Sequence, residues 1–277
     1  METVLKLHEE HADLLTQLCH GNRLKAMNSE NNNPGTEAIH VAILSDTLGS
    51  FSLKTLPHKA FFACAGIKRA DLLNIHTELT MVHNHGVYPF VSFPDLEICG
   101  GDMTLQAIYR ALYLSLKARP GVKRVLNLYV GLDNTVSSNK CWTVMRGLAT
   151  LVALGIVEKV KPVFRLVGHT KNEVDQAGGC VSTKISGHDM LTPSKWMEKV
   201  VTSLKGKKDP CFEMRQGDFC TDGCPHYAAV FDQFYSSTNQ ISGLSRMHIG
   251  RFAMDPVEDN VSFHMKAHYH DEGFFPR

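Results

Sequence analysis

The chain has 277 residues, of which 43% are hydrophobic and 21% are charged, a composition typical of a globular protein with a sizeable core. Its formal net charge of +1 gives no overall attraction to nucleic acid, because that attraction normally comes from an excess of lysine and arginine. The N-terminus carries no signal or transit peptide, and no run reaches the roughly 18 apolar residues of a membrane span, so we expect neither secretion nor a membrane partner. The eight cysteines lack regular spacing and indicate the reduced thiols of a nuclear or cytoplasmic protein.

The first part of the chain predicts a helix, a linker and a group of strands. Residues 1–26 have an amphipathic pattern, and the polar segment 29–37, with a proline and a glycine, indicates a linker. Short apolar and β-branched runs separated by breaks then predict strands at 39–44, 58–66, 72–83 and 87–93.

The middle of the chain alternates predicted helices and strands, in the order helix 103–118, strand 125–132, helix 139–154 and strand 160–167. Gly155 is expected to end the second of these helices. Pro162 has no N–H to donate to a neighbouring strand, which predicts a sheet edge for the strand that contains it. Thr170 and Glu173 have the spacing of a capping box, so another helix is expected to begin there, with Asp175 in its second turn.

This succession of several strands, then helix, strand, helix, edge strand and helix matches an RNase H-like fold, an α/β architecture with a mixed five-stranded sheet flanked by helices. We predict an N-terminal helix and linker (1–37), an RNase H-like core (38–188) and a C-terminal α+β extension packed on the core (189–277). In such a core the first and fourth strands are adjacent and parallel. Their carboxyl ends therefore open on one crevice, where α/β sheets usually bind ligands.

Three aspartates occupy positions that would converge on that crevice. Asp46 ends the first strand, Asp133 ends strand 125–132, and Asp175 lies in the helix after the last strand. Three carboxylates there would repel one another unless a cation neutralised them, and hard oxygen ligands favour Mg²⁺ or Mn²⁺. Two such ions can activate a water or a 3′-hydroxyl and stabilise the leaving oxygen of a phosphodiester. Taken singly, each aspartate is more often a turn former or a helix cap, so only the three positions together favour a metal site.

Four stretches of the sequence resemble a known family: ILSDTLGSF…LPH (43–58), LDNTVSSNK (132–140), VGHTKNEVDQ (167–176) and LTPSKW (191–196). They are similar to transposable-element-derived domains of unknown function with an RNase H-like fold of the DDE/DDD transposase or integrase type. The similarity runs from the N-terminal helix almost to the C-terminus. It implies that Asp46, Asp133 and Asp175 form a catalytic, metal-binding triad.

The same resemblance implies residues that support the triad, namely Asn134, Asn139, Lys140 and His169. His169 would act as a proton shuttle or contact phosphate, or it would instead hydrogen-bond the loop that precedes the helix. The chain departs from the family at the segment Ser-Asn-Lys-Cys (138–141), where a Gln-Asn-Lys-Asn segment is common.

Two further groups of residues could contribute ligands. Glu97 precedes the Gly-Gly turn and is either a fourth carboxylate of the site or an exposed loop acid. Cys211, Cys220, Cys224 and His226 have the donor atoms of a zinc site. Their spacing matches no common zinc finger, so loop cysteines without metal are favoured.

Two functions are compatible with these patterns. The first is transposase-like, divalent-metal-dependent phosphodiester cleavage or strand transfer on nucleic acid, with DNA the favoured partner. The second is a catalytically inactive transposon-derived domain that binds nucleic acid or protein. The complete triad favours the first function and the near-zero net charge favours the second. The sequence leaves the oligomeric state open.

Overall fold

The computed structural model of the chain describes residues 2–31, 37–48, 55–56, 73–93, 100–166, 172–186, 188, 190, 192–206, 212–215, 217–219, 225–235, 244–258, 260–266 and 275–276. The helices in this part of the chain are α1 (Glu2–Asn31), α2 (Gly101–Lys117), α3 (Trp142–Ala153), α4 (Glu173–Ile185), α5 (Pro193–Thr202) and α6 (Tyr227–Phe234). The longer strands are β1 (Ala38–Thr47), β4 (His76–Val82), β5 (Gly86–Ser92), β6 (Arg124–Leu132), β7 (Lys159–Phe164), β9 (Ile249–Asp255) and β10 (Asn260–Lys266). Two-residue strands are β2 (Thr55–Leu56), β3 (Leu73–Asn74), β8 (Asp218–Phe219) and β11 (Phe275–Pro276).

The fold is α/β, and its described strands form one sheet of mixed parallel and antiparallel pairs in the order β11-β10-β9-β7-β6-β1-β4-β5-β8. The two-residue strands β2 and β3 pair with each other outside this sheet. Strands β1, β6 and β7 are mutually parallel, whereas β4, β5, β9 and β10 pair antiparallel with at least one neighbour. The strands predicted at 39–44, 87–93, 125–132 and 160–167 are therefore confirmed, and the strand predicted at 58–66 lies outside the described residues. The predicted sheet of five strands is wrong in size, because β9 and β10 continue it beyond β7.

The position of Pro162 corrects the prediction that its strand forms an edge. β7 pairs with β6 on one side, where Pro162 stands opposite Val130, and with β9 on the other. The β7–β9 pairing includes Val160 and Val163 but neither residue between them. Gly250 lies against the proline ring, where a Cβ atom would come within 2.9 Å of the ring Cγ. A proline is tolerated inside this sheet because the ladder is interrupted where its N–H is missing.

Helices cover both faces of the sheet, and the alternation of side chains along β1 assigns each helix to a face. Ile43 points to a core shared with α2 and α3, whereas Leu44 points to a core shared with α4 and α5. α1 packs on the same face as α4, through Leu15 against Val163 and Ala26 against Tyr129. Two apolar helix layers therefore enclose the central strands, which leaves their carboxyl ends as the accessible edge.

The helix predictions in the core are mostly confirmed in position. α2 and α3 correspond to the predicted segments 103–118 and 139–154. Gly155 lies two residues after the end of α3, directly after the C-cap residue Leu154, and has a φ of 67°, the left-handed conformation expected of the glycine that ends a helix. No helix in the described ranges has the length and apolar character needed to cross a bilayer.

Candidate active site: an acidic pocket at the carboxyl edge of the sheet

The three predicted aspartates lie together at the carboxyl edge of the parallel strands. Asp46 is the penultimate residue of β1, and Asp133 directly follows β6, the parallel neighbour of β1. Asp175 lies in the first turn of α4. All three line one cavity of about 540 Å³, whose other described walls come from β4 and from the glycine-containing face of α4. The structure thus brings together residues that are far apart in the sequence.

Asp46 is the most perturbed acid of this pocket. Burial, the negative charges of Asp175, Glu78 and Asp133, and a hydrogen bond with Asp175 together raise the pKa of Asp46 to about 8. At neutral pH the Asp46 carboxyl therefore keeps a proton and shares it with the Asp175 carboxylate. Repulsion between the acids of the pocket is therefore reduced by a proton, and a bound cation could take its place.

The carboxylate of Asp133 is held in one orientation by the loop that follows it. Oδ1 accepts a hydrogen bond from the Thr135 backbone N–H at 3.0 Å, and Oδ2 accepts one from the Thr135 hydroxyl at 2.6 Å. The Asn139 side-chain amide also donates to Oδ1. Asn139 is itself buried and accepts a hydrogen bond from the Thr104 hydroxyl at 3.1 Å, which ties the loop to α2. The hydrogen bond between Asn139 and Asp133 therefore closes the loop between these two residues and fixes the orientation of the Asp133 carboxylate.

Asp175 caps its helix and lines the pocket at the same time. Asn172 is the N-cap residue of α4, and its side chain accepts hydrogen bonds from the backbone N–H groups of Val174 and Asp175. Asp175 returns the interaction by accepting a hydrogen bond from the Asn172 backbone N–H at 2.8 Å. The predicted capping box of Thr170 and Glu173 is thus wrong by two residues, and Asp175 lies in the first turn instead of the second. The cap and the pocket use the same carboxylate.

Lys140 and Asn134 do not belong to the described lining of the pocket. The Lys140 side chain is buried, donates a hydrogen bond to the Ser245 carbonyl at 3.1 Å and stands 5.2 Å above the Phe164 ring. Burial lowers the pKa of Lys140 to about 8. The side-chain oxygen of Asn134 is buried with no hydrogen-bond partner among the described residues.

Glu78 is an acid of this region that the sequence patterns did not single out. Its side chain is only 2% exposed and accepts hydrogen bonds from the hydroxyls of Ser45 at 2.9 Å and Thr47 at 3.0 Å. The signal was a single acidic residue in the middle of the strand HTELTMV that forms β4. Because charged residues are rarely buried without partners, that position predicts a polar network across the neighbouring strand.

The other residues predicted for the site are not among the described residues that line the pocket. Glu97, His169, Cys211, Cys220 and Cys224 lie outside the described residues. His226 is exposed at the N-cap of α6. Across the described ranges, no group of three or more histidine, cysteine, aspartate or glutamate side chains is arranged to hold a metal ion as it stands. The carboxyls of Asp46 and Asp175 are instead hydrogen-bonded to each other.

Comparison with known proteins adds one match. A family model described as "Domain of unknown function (DUF7869)" matches residues 66–271. The matched range includes Asp133 and Asp175 and begins after Asp46. No curated protein and no solved structure gives a significant match.

Proposed function

Because the chain belongs to the DUF7869 family of domains of unknown function, we propose its activity from the geometry of the acidic pocket. The pocket binds a divalent cation, Mg²⁺ or Mn²⁺, and the domain performs transposase-like cleavage or strand transfer at phosphodiester bonds of nucleic acid, with DNA the favoured substrate. The observation that carries this proposal is the meeting of Asp46, Asp133 and Asp175 in one cavity. Oxygen donors in a solvent-accessible pocket are the ligands these cations prefer.

The order of the elements supports an RNase H-like identity for this fold. Reading only the longer strands, the chain runs β1, β4, β5, α2, β6, α3, β7 and α4. The first and fourth of these strands, β1 and β6, are adjacent and parallel, as such a domain requires. β9 and β10 would then be an addition to the common core, joined to the open side of β7.

The electrostatics of the pocket support cation binding. Repulsion between the acids is relieved by a proton on Asp46, whose pKa is raised to about 8 by burial and by the charges of Asp175, Glu78 and Asp133. A divalent cation would replace that proton, so its affinity should increase as the pH rises toward 8. Binding requires the hydrogen bond between Asp46 and Asp175 to open, whereas Asp133 is already oriented by Thr135 and Asn139.

Each residue has a distinct part in this proposal. The bound cation supplies activation of a water or 3′-hydroxyl and stabilisation of the leaving oxygen. Asp133 offers a carboxylate whose orientation is set before binding, which lowers the reorganisation needed at the site. Asp175 is anchored by the first turn of α4. Asp46 takes up or releases the proton that balances the charge of the pocket.

The first experiment measures cation binding. Mn²⁺ and Mg²⁺ are titrated against the wild-type protein, Asp133→Asn and the control Asp13→Asn, which alters an exposed acid of α1. We expect wild type and control to be stabilised by about 2–3 kcal/mol when the cation reaches about 100 times its Kd. The Asp133→Asn variant should respond weakly. Equal thermal shifts for all three proteins would refute the metal site.

The second experiment measures chemistry. Labelled single- and double-stranded DNA is incubated with Mn²⁺ and either wild type or Asp46→Asn, and the products are separated by length. Cleavage by wild type that is lost in the variant supports the nuclease or strand-transfer proposal. An inactive binding domain is the second candidate, favoured by the use of Asp175 as a helix cap. It predicts DNA binding that neither cation nor Asp46→Asn changes.

A further inference from the structure

The face of the sheet that carries α1 holds a group of lysines near the amino ends of the parallel strands. Lys159 and Lys161 are the first and third residues of β7. They alternate with Val160, which points to the core under α2 and α3, so both lysines point to the other face. Lys161 is paired with Tyr129 of β6, and its ammonium group stands 5.3 Å from the centre of the Tyr129 ring. Because that ring packs on Ala26 of α1, the lysines lie on the α1 side of the sheet.

α1 adds a third lysine and lies between this group and the acidic pocket. Lys25 is exposed and directly precedes Ala26, the residue that packs on Tyr129. Asp133 lies beyond Tyr129, after the carboxyl end of β6. At about 3.3 Å per residue, the six residues of β7 span about 20 Å. The lysines and the acidic pocket therefore lie at opposite ends of the same strands.

The charges that act on Lys161 are all positive. Burial and the charges of three neighbours, Lys25, Lys159 and Arg251, lower the pKa of Lys161 below its usual value. Within the described ranges, none of the three lysines forms an ion pair with an acid. Like charges at this separation repel one another, and an anion bound among them would relieve the repulsion. The formal net charge of +1 for the whole chain conceals this local excess.

The other side chains of this face indicate which kind of anion it suits. His40 and Asn127, on the neighbouring strands β1 and β6, are polar and hydrogen-bond to each other at 3.0 Å. On the described strands, the one exposed large apolar side chain is Met254, which shares the opposite face with Phe252. A protein partner usually needs an apolar centre to its interface. Phosphates of a nucleic-acid backbone are instead bound by lysine and arginine without such a centre.

We propose that this basic face, defined by Lys25, Lys159 and Lys161, binds the phosphate backbone of nucleic acid. The choice of nucleic acid rests in part on the proposed function, whereas the charge of the face does not. Tyr129 is only 5% exposed beneath Lys161, so its ring is not available to stack on a base. Binding therefore depends on phosphates and is independent of sequence. A strand held here passes over α1 to reach the acidic pocket, a distance of about 20 Å that about six nucleotides span.

The experiment uses the full chain in EDTA and measures binding of labelled DNA of about 20 nucleotides, as a single strand and as a duplex, at several salt concentrations. Lys25→Gln and Lys159→Gln alter exposed residues. Each should reduce the slope of log affinity against log salt concentration by about 0.7–0.9. The double variant should weaken binding by about tenfold or more at low salt, and equally for unrelated sequences.

Two controls separate charge at this face from other effects. Replacing both Lys25 and Lys159 by arginine keeps the two charges and should retain most of the affinity. Lys117→Gln removes an exposed charge of α2, which packs on the opposite face of the sheet, and should leave binding unchanged.

The proposal is overturned if wild type does not bind DNA in EDTA, if Lys117→Gln weakens binding as much as the double variant, or if the arginine variant binds as weakly as the glutamine variant. Displacement of DNA by polyglutamate at equal charge concentration would assign the face to an acidic protein instead.

These results are separable from those of the cation experiment. The double glutamine variant should keep the Mn²⁺ response of wild type, because its lysines lie far from the acidic pocket. Lysine-dependent DNA binding together with equal cation responses in wild type and Asp133→Asn refutes only the proposed activity. A cation response that is lost in Asp133→Asn, together with DNA binding that the lysine substitutions do not change, refutes only the basic face.

Discussion

Replacing Asp46 by asparagine should stabilise the cation-free protein. The wild-type carboxyl is surrounded by Asp175, Glu78 and Asp133, and burial together with these charges raises its pKa from 3.8 to about 8. Folding at neutral pH therefore takes up a proton that the unfolded chain does not hold. An asparagine is neutral at every pH and can donate the hydrogen bond to Asp175 without that proton.

The size of the effect follows from the shift in pKa. For an acid whose folded-state pKa is raised, the protonated form contributes its full stability below the unfolded pKa of 3.8, and this contribution is lost as the pH rises through about 8. Each pKa unit corresponds to about 1.4 kcal/mol, so the whole window between the two pKa values spans at most about 6 kcal/mol. Between pH 5 and pH 9 the wild type should lose up to about 4 kcal/mol from this group.

Urea unfolding in EDTA at pH 5, 7 and 9 measures this difference. Asp46→Asn should be more stable than wild type by about 2–4 kcal/mol at pH 9, with a flatter dependence on pH, and the exposed control Asp13→Asn should follow wild type. Saturating Mn²⁺ should reverse the order, because only the wild-type pocket gains stability from the cation. If Asp46→Asn is no more stable than the control at pH 9, the reasoning about crowded acids is wrong.

Three further substitutions test separate parts of the structure. Asn172→Ala removes the cap that accepts from the N–H groups of Val174 and Asp175, and chemical denaturation should show a loss of about 1 kcal/mol, with a weaker Mn²⁺ response; an unchanged midpoint would contradict this cap. Lys140→Met should raise the unfolding free energy at pH 7 by about 1–3 kcal/mol. Burial lowers the pKa of the lysine from 10.5 to about 8. The neutral lysine therefore contributes its full stability above pH 10.5, and this contribution is lost as the pH falls through 8. The gain should shrink at pH 10, and a large loss at pH 7 would show that the ammonium group is required in its charged form. Gly147→Ala places a methyl group against the fully buried Leu105. Overpacking should cost about 1–3 kcal/mol and better helix propensity should return about 1 kcal/mol, so the thermal midpoint of the variant should fall. The control Gly21→Ala has open space around the new methyl group, so its thermal midpoint should rise.

Much of the core could be predicted because its signals are local. The alternation of apolar residues in β1 and β6 and the glycine after α3 depend on neighbours a few positions away, and these elements lie where their patterns indicated. Asp46 and Asp133 could be assigned to strand ends for the same reason. The start of α4 was displaced by two residues because Thr170 and Asn172 are both capable caps, and local sequence does not rank them.

What the amino-acid sequence determined by itself was which residues form the central strands and helices, and that an acid ends two of those strands. The tertiary structure alone decided that β9 pairs with β7 and encloses Pro162, that Glu78 lies next to Asp46, and that Arg23 meets Glu173. The physical reason is distance. Propensity and side-chain alternation act between residues a few positions apart, whereas the energy of a charge or a missing hydrogen-bond donor depends on groups that only folding brings near.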